Sequence, residues 1–143
     1  MADFLTGGCL CGAIRYTVSA PITELRACHC VHCQKGSGTG AAENAVIPSA
    51  SFHLERGTLK RYGSRAESGR VLYRHFCGDC GSPIYSQREN APETVVLRAG
   101  SIDNPGNYRI TTHIWMRSAR PWSYVDPSTK QIAGQPDVPV APH

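Results

Sequence analysis

Six consecutive residues, "CHCVHC" at 28–33, hold three cysteines and two histidines. Two further cysteine pairs stand apart, as "CLC" at 9–11 and "CGDC" at 77–80, making seven cysteines in all. An odd number leaves one thiol over in any set of disulfides. Cysteines this close in sequence are poorly placed to bridge each other and well placed to share a metal ion.

Seven thiols cannot make two closed four-cysteine sites, but they can make one closed site and one three-ligand site. Cys28, Cys30 and Cys33 are compact enough to hold one ion. On extended backbone the first two project to the same side, and a short turn returns the third. Cys9, Cys11, Cys77 and Cys80 then form two clips that close a structural four-thiolate zinc site. The glycines of "CGDCG" suit the tight knuckle such a clip needs. Because this site joins residues distant in sequence, folding is expected to depend on it.

The fourth position of the triplet is open to more than one reading. A catalytic zinc site keeps it free, whereas His29 or His32 would close it into a structural site. A third reading leaves the triplet without metal, or makes it a labile redox-responsive group. The open reading carries specific chemistry. Three thiolates make the ion a weak Lewis acid that favours soft ligands, so an incoming thiol is the natural occupant. Bound there, that thiol loses its proton readily and can attack an electrophile held nearby, forming a carbon–sulfur bond.

The elements that must position these cysteines read as strands. "GAIRYTVS" at 12–19 is rich in β-branched and aromatic residues, and "PITELRACHC" runs as a second strand into the cysteine cluster. "TLKRYGS" and "GRVLYRHFC" form two strands joined by a loop at "RAESG". "SPIYSQ", "ETVVLRAGSI" and "YRITTHIWM" are further strands, while "QKGSGTGAAE" at 34–43 reads as a glycine-rich loop. No long segment shows a helical period, so the expected fold is a single mainly-β domain built of short strands. The segment from "DPSTKQIAGQPDVPVAPH" onward is proline-rich, low in apolar residues and expected to pack loosely.

The bulk properties set the outer bounds. A chain of 143 residues with 41% apolar and 18% charged residues suits one globular domain. It contains no apolar run of about 18 residues for a membrane helix. "MADFLTGGCLCG" lacks the basic start and apolar core of a signal peptide. A cytoplasmic location with reduced thiols is therefore expected. The formal charge of +4 falls to +1 once seven thiolates and two zinc ions are counted, which argues against a nucleic-acid partner. The basic clusters "LKRYGSR" at 59–65 and "SGRVLYRH" at 68–75 read as solvated strand edge or loop.

"GGCLCGAIRY", "CHCVHCQKGSG", "FCGDCGSPIY", "AGSIDNP" and "HIWMRSARPW" occur in that order. Together they resemble the glutathione-dependent formaldehyde-activating family, also described as the CENP-V/GFA domain family. The resemblance covers residues 5–125 and leaves 127–143 as a proline-rich C-terminal tail. It implies an Mss-four-like fold, a mainly β scaffold built around zinc. It implies a structural zinc at Cys9, Cys11, Cys77 and Cys80, and a catalytic zinc with an open fourth position at Cys28, Cys30 and Cys33. Two zinc ions per chain are expected, with the second site able to be partly empty.

The activity implied is that of an S-(hydroxymethyl)glutathione synthase, classed as a carbon–sulfur lyase. Its partners would be a small thiol such as glutathione and a small aldehyde such as formaldehyde. The alternative is a non-catalytic, zinc-stapled module that binds protein or nucleic acid. No motif in the sequence matches a glutathione contact that can be assigned to a numbered residue.

Other residues read more plainly. His113 in "THIWM" is expected as a buried, hydrogen-bonded histidine, and His75 as an ordinary strand residue. Beyond closing the site, His29 and His32 could tune the sulfurs as neighbouring donors. Lys35 could meet a ligand carboxylate or simply belong to a flexible loop. Trp115 and Trp122 are expected to pack in the core or at its rim.

Overall fold

Alternation of apolar and polar side chains along short β-branched segments decides the architecture. The computed structural model describes residues 5–66, 69–104 and 106–136. Strands take 46% of these residues and helices 12%, so the mainly-β expectation holds. In chain order the elements are β1 (Leu5–Gly8), β2 (Arg15–Val18), β3 (Glu24–Cys28), α1 (Val31–Ser37) and β4 (Ala42–Pro48). They continue with β5 (Phe52–Arg56), β6 (Leu59–Arg65), β7 (Val71–Cys77), β8 (Pro83–Arg88) and β9 (Thr94–Arg98), then β10 (Arg109–Ile114) and β11 (Lys130–Gln131).

The strands form two sheets, a three-stranded one ordered β1-β2-β5 and an eight-stranded one ordered β11-β10-β3-β4-β9-β8-β7-β6. The large sheet has two different faces. Ala45, Ile47, Val95 and Leu97 are buried with Ile14, Tyr16 and Val18 in one apolar cluster, the main core. Their even-numbered neighbours turn the other way. The register aligns Arg26 with Asn44, and Asn44 with Arg98. A second row runs Val46, Val96, Ser86, Arg74. One face is thus hydrocarbon, and the other carries cysteine, asparagine and arginine.

Gly7 shows how closely the small sheet meets its neighbours. A methyl group on it would overlap the Tyr16 hydroxyl and the Ser101 carbonyl. Tyr16 is almost wholly buried and its hydroxyl hydrogen-bonds Ser101 Oγ at 2.7 Å, so neither neighbour gives way easily. Gly7→Ala should therefore destabilise the fold by about 2 kcal/mol or more, read as a fall in the urea midpoint at unchanged slope.

Two local expectations are corrected. Residues 34–37, read as part of a glycine-rich loop, are the closing residues of α1. The Cys30 sulfur accepts the Cys33 N–H and starts the helix, and Gly38 at φ 74° ends it in the left-handed conformation that glycine tolerates. The segment expected to pack loosely after residue 126 instead pairs with β10. β11 lies parallel to β10 at Thr112 and His113. Beyond it, the amides of Met116 and Trp115 donate to the carbonyls of Ile132 and Gly134 at 3.0 and 3.2 Å. The open edge of β10 supplies the reason, since its unpaired amides need partners. Residues 137–143 lie outside the described residues.

Candidate metal centres and the cavity beside them

Two groups of cysteines come together, and they are the two that the spacing separated. Cys9 and Cys11 lie in the turn after β1, Cys77 ends β7, and Cys80 lies in the turn before β8. Their four sulfurs all lie within 4.8 Å of one another. Cys9 and Cys11 sulfurs are 3.6 Å apart, and those of Cys11 and Cys77 are 3.8 Å apart. Zinc–sulfur bonds of about 2.3 Å at tetrahedral angles place sulfurs ~3.8 Å apart, so the donor set fits such an ion.

Backbone amides support this set. Ile14 N–H donates to Cys9 Sγ at 3.2 Å, and Asp79 N–H to Cys77 Sγ at 3.4 Å. Gly12 and Gly81, at φ 84° and 80°, make the left-handed turns that close the two knuckles. Neighbouring thiols resist sharing negative charge. Cys80 is lowered to about 5, first by hydrogen bonding to the Ser82 side chain and then by backbone amides. Cys11 is raised to about 12, because the pull of the Ala13 amide is outweighed by its thiol neighbours, Cys9 foremost. A divalent ion would remove the conflict by letting all four ionise. The group also bridges the two sheets, since β1 and β2 belong to one and β7 and β8 to the other.

The second group stands at the junction of β3 and α1. Cys28 ends the strand, Cys30 caps the helix and Cys33 lies in its first turn. Their sulfurs also lie within 4.8 Å of one another. Cys28 and Cys33 are buried and Cys30 is half-buried. Hydrogen bonds from Cys28 and then Cys30 push the Cys33 thiol down, and the charges of Arg98 and Arg74 help. Hydrogen bonding to Cys30 and then Cys33, with burial, pushes the Cys28 thiol up.

Among the described residues no histidine or carboxylate joins this group as a fourth donor. His29, which could have closed the site, turns away. Its Nε2 pairs with His113 Nδ1 at 2.8 Å, with both rings buried. His113 is thus the buried, hydrogen-bonded histidine expected. His32 lines a cavity of about 130 Å³ that all three cysteines also line.

The rest of that cavity was not foreseen. Its wall includes Arg26, Arg70, Arg74, Arg88 and Arg98. Arg70 and Arg74 come from the stretch read as solvated edge or loop; Arg70 is exposed as expected although it also lines the cavity, while Arg74 is half-buried there. Lys35, weighed as a carboxylate contact, is exposed and is not part of the wall. Burial lowers Arg98 and Arg26, although nearby cysteines partly offset the cost. Trp115 is half-buried against the three-cysteine cluster, and Trp122 is exposed. His75 sits in β7, stacked on Tyr85 at 4.2 Å.

A small mainly-β domain thus carries one four-cysteine and one three-cysteine group, each gathered closely enough to hold a soft metal ion. Residues 4–118 match the family model described as "Glutathione-dependent formaldehyde-activating enzyme", and the chain belongs to that family. It is 26% identical over 144 aligned positions to a Halomonas elongata protein named, by inference, a glutathione-dependent formaldehyde-activating enzyme. That match covers 96% of this chain and 92% of the relative. A solved Rhodobacter sphaeroides protein shares the fold, with a TM-score of 0.57 and 24% identity over 70% of this chain and 91% of its own. Among the described residues no helix is long and apolar enough to cross a membrane.

Proposed function

We propose that the chain is a zinc-dependent carbon–sulfur lyase of the S-(hydroxymethyl)glutathione synthase type, handling the thiol adduct of a small aldehyde. The observation that carries this reading is the three-cysteine group, gathered within 4.8 Å on the wall of a cavity and lacking a fourth donor among the described residues. Cys28, Cys30 and Cys33 would hold the catalytic zinc. Cys9, Cys11, Cys77 and Cys80 would hold the structural one, giving two per chain. When bound, the catalytic ion supplies an open position that accepts a thiol and lowers its pKa.

The chain's own residues do the rest. Arg74 and Arg98 place positive charge beside Cys33 and favour thiolate there. Trp115 and the strand side chains wall the cavity. The reaction joins thiol sulfur to aldehyde carbon, and the thiol proton passes to the carbonyl oxygen, so no oxidant or reductant is needed. Because this addition proceeds without an enzyme, positioning is the main contribution expected of the protein. A cytoplasmic setting, where thiols stay reduced, suits both the ligands and the substrate.

Exchange NMR on glutathione and formaldehyde tests the reading. Zinc-loaded protein should speed interconversion between free thiol and hydroxymethyl adduct above the spontaneous rate. Fully loaded protein that leaves the rate at background would overturn the lyase reading and favour the non-catalytic binding module.

A further inference from the structure

The cavity beside the three cysteines holds more positive charge than those cysteines require. Five arginines line it, and among the described residues no aspartate or glutamate does. A zinc ion with three thiolates carries one net negative charge, which five guanidiniums far exceed. Four of the five come from separate strands: Arg26 from β3, Arg74 from β7, Arg88 from β8 and Arg98 from β9. Strand alternation and register bring them to one face, so the cluster belongs to the rigid sheet and not to a loop.

Several of these groups are shut from solvent without a partner among the described residues. Arg26 Nε and Nη1, and Arg74 Nε and Nη2, are buried and make no hydrogen bond to any described residue. Arg74 is held by Ser64 at 3.3 Å through its remaining nitrogen. Its guanidinium also lies against Gly36 of α1, where an added side chain would crowd it. Arg98, 7% exposed, is anchored to Asn44 Oδ1 through Nη1. Buried donors of this kind are costly unless something accepts from them. Ordered water can accept from single N–H groups, whereas an oxyanion accepts from guanidinium forks in pairs and also meets their charge.

We propose that this arginine face is an oxyanion subsite, so that the ligand entering beside Cys28, Cys30 and Cys33 is an acidic small molecule. Arg26, Arg74 and Arg98 hold its carboxylate or phosphate group, and Arg88 and Arg70 line the remaining wall. The identity of the reacting group rests on the thiol reading above, but the oxyanion subsite does not. A neutral thiol would leave the buried donors unpaired, whereas an acidic thiol would satisfy them.

The test uses zinc- or cobalt-loaded full-length protein and four probes. Succinate and inorganic phosphate are titrated calorimetrically into the zinc form, to separate carboxylate from phosphate preference. At least one should bind with one-to-one stoichiometry, and Arg74→Met should weaken it about ten-fold or more. Mercaptosuccinate and 2-mercaptoethanol are titrated into the cobalt form. The acidic thiol should bind about ten-fold or more tighter in the wild-type protein, a comparison that needs no variant.

If neither oxyanion binds and the two thiols are equivalent, the subsite is refuted. If succinate or phosphate binds while no thiol alters the cobalt spectrum, the oxyanion site stands and the thiol reading fails.

Discussion

Cys11→Ser and Cys77→Ser are expected to abolish cooperative folding. Structural zinc in small cysteine sites contributes on the order of 10–16 kcal/mol of apparent binding free energy. A whole domain is stable by only about 5–15 kcal/mol. Losing one of four ligands at a site that joins both sheets therefore removes most or all of the margin. The two positions separate metal loss from packing loss. Cys77 is 1% exposed and part of the main core, so its serine also buries a hydroxyl. Cys11 is exposed, and its serine disturbs little besides ligation. Thermal denaturation and zinc content check both, with strong chelation of the wild-type protein as a parallel. Cys11→Ser with a native melting transition would refute the staple.

Cys30→Ser is expected to do the opposite, keeping the fold and losing the chemistry. The Cys30 sulfur caps α1 by accepting the Cys33 N–H at 3.3 Å. Serine is among the best residues at that position, so the helix start is preserved. Its hydroxyl is a poor replacement for a thiolate on zinc. Zinc content should fall from about two ions per chain to about one, with a melting temperature near that of the wild type. Acceleration of adduct exchange should drop to the spontaneous rate. A Cys30→Ser protein that retains full acceleration would show that the three-cysteine group is not the reacting centre.

Which cysteines group together could be read before any fold was known, because spacing separates a compact triplet from two distant clips, and the two groups do gather. Spacing left open whether a histidine closes the triplet, since that depends on where the His29 and His32 rings turn. Most strands were legible too, since Val, Ile and Tyr alternate along them. The arginine face was not. Arg26, Arg74, Arg88 and Arg98 stand on four strands far apart in sequence, and each alone looks like an ordinary charged strand residue. Only strand pairing shows that they share a surface: Asn44 aligns Arg26 with Arg98, and the row through Val46, Val96 and Ser86 brings Arg74 and, two residues along the strand, Arg88 to the same face. α1 was missed because seven residues span too few turns to display a period, and its Gly36 with Gly38 and Gly40 beyond it mimic a loop. β11 was missed because its pairing answers the open edge of β10, a feature of the sheet and not of the segment itself. Trp115 adds a further surprise, holding φ 59° beside the cavity, a conformation that no local motif announces.

Cobalt substitution followed by glutathione titration tests the central claim most directly. Tetrahedral cobalt in the two cysteine groups absorbs in the visible range, and only an open position can respond to added thiol. The account predicts that one of two spectral components shifts and saturates, and that Cys30→Ser removes that component alone. Two components that both ignore glutathione and mercaptosuccinate would contradict it and make the three-cysteine group a closed structural site.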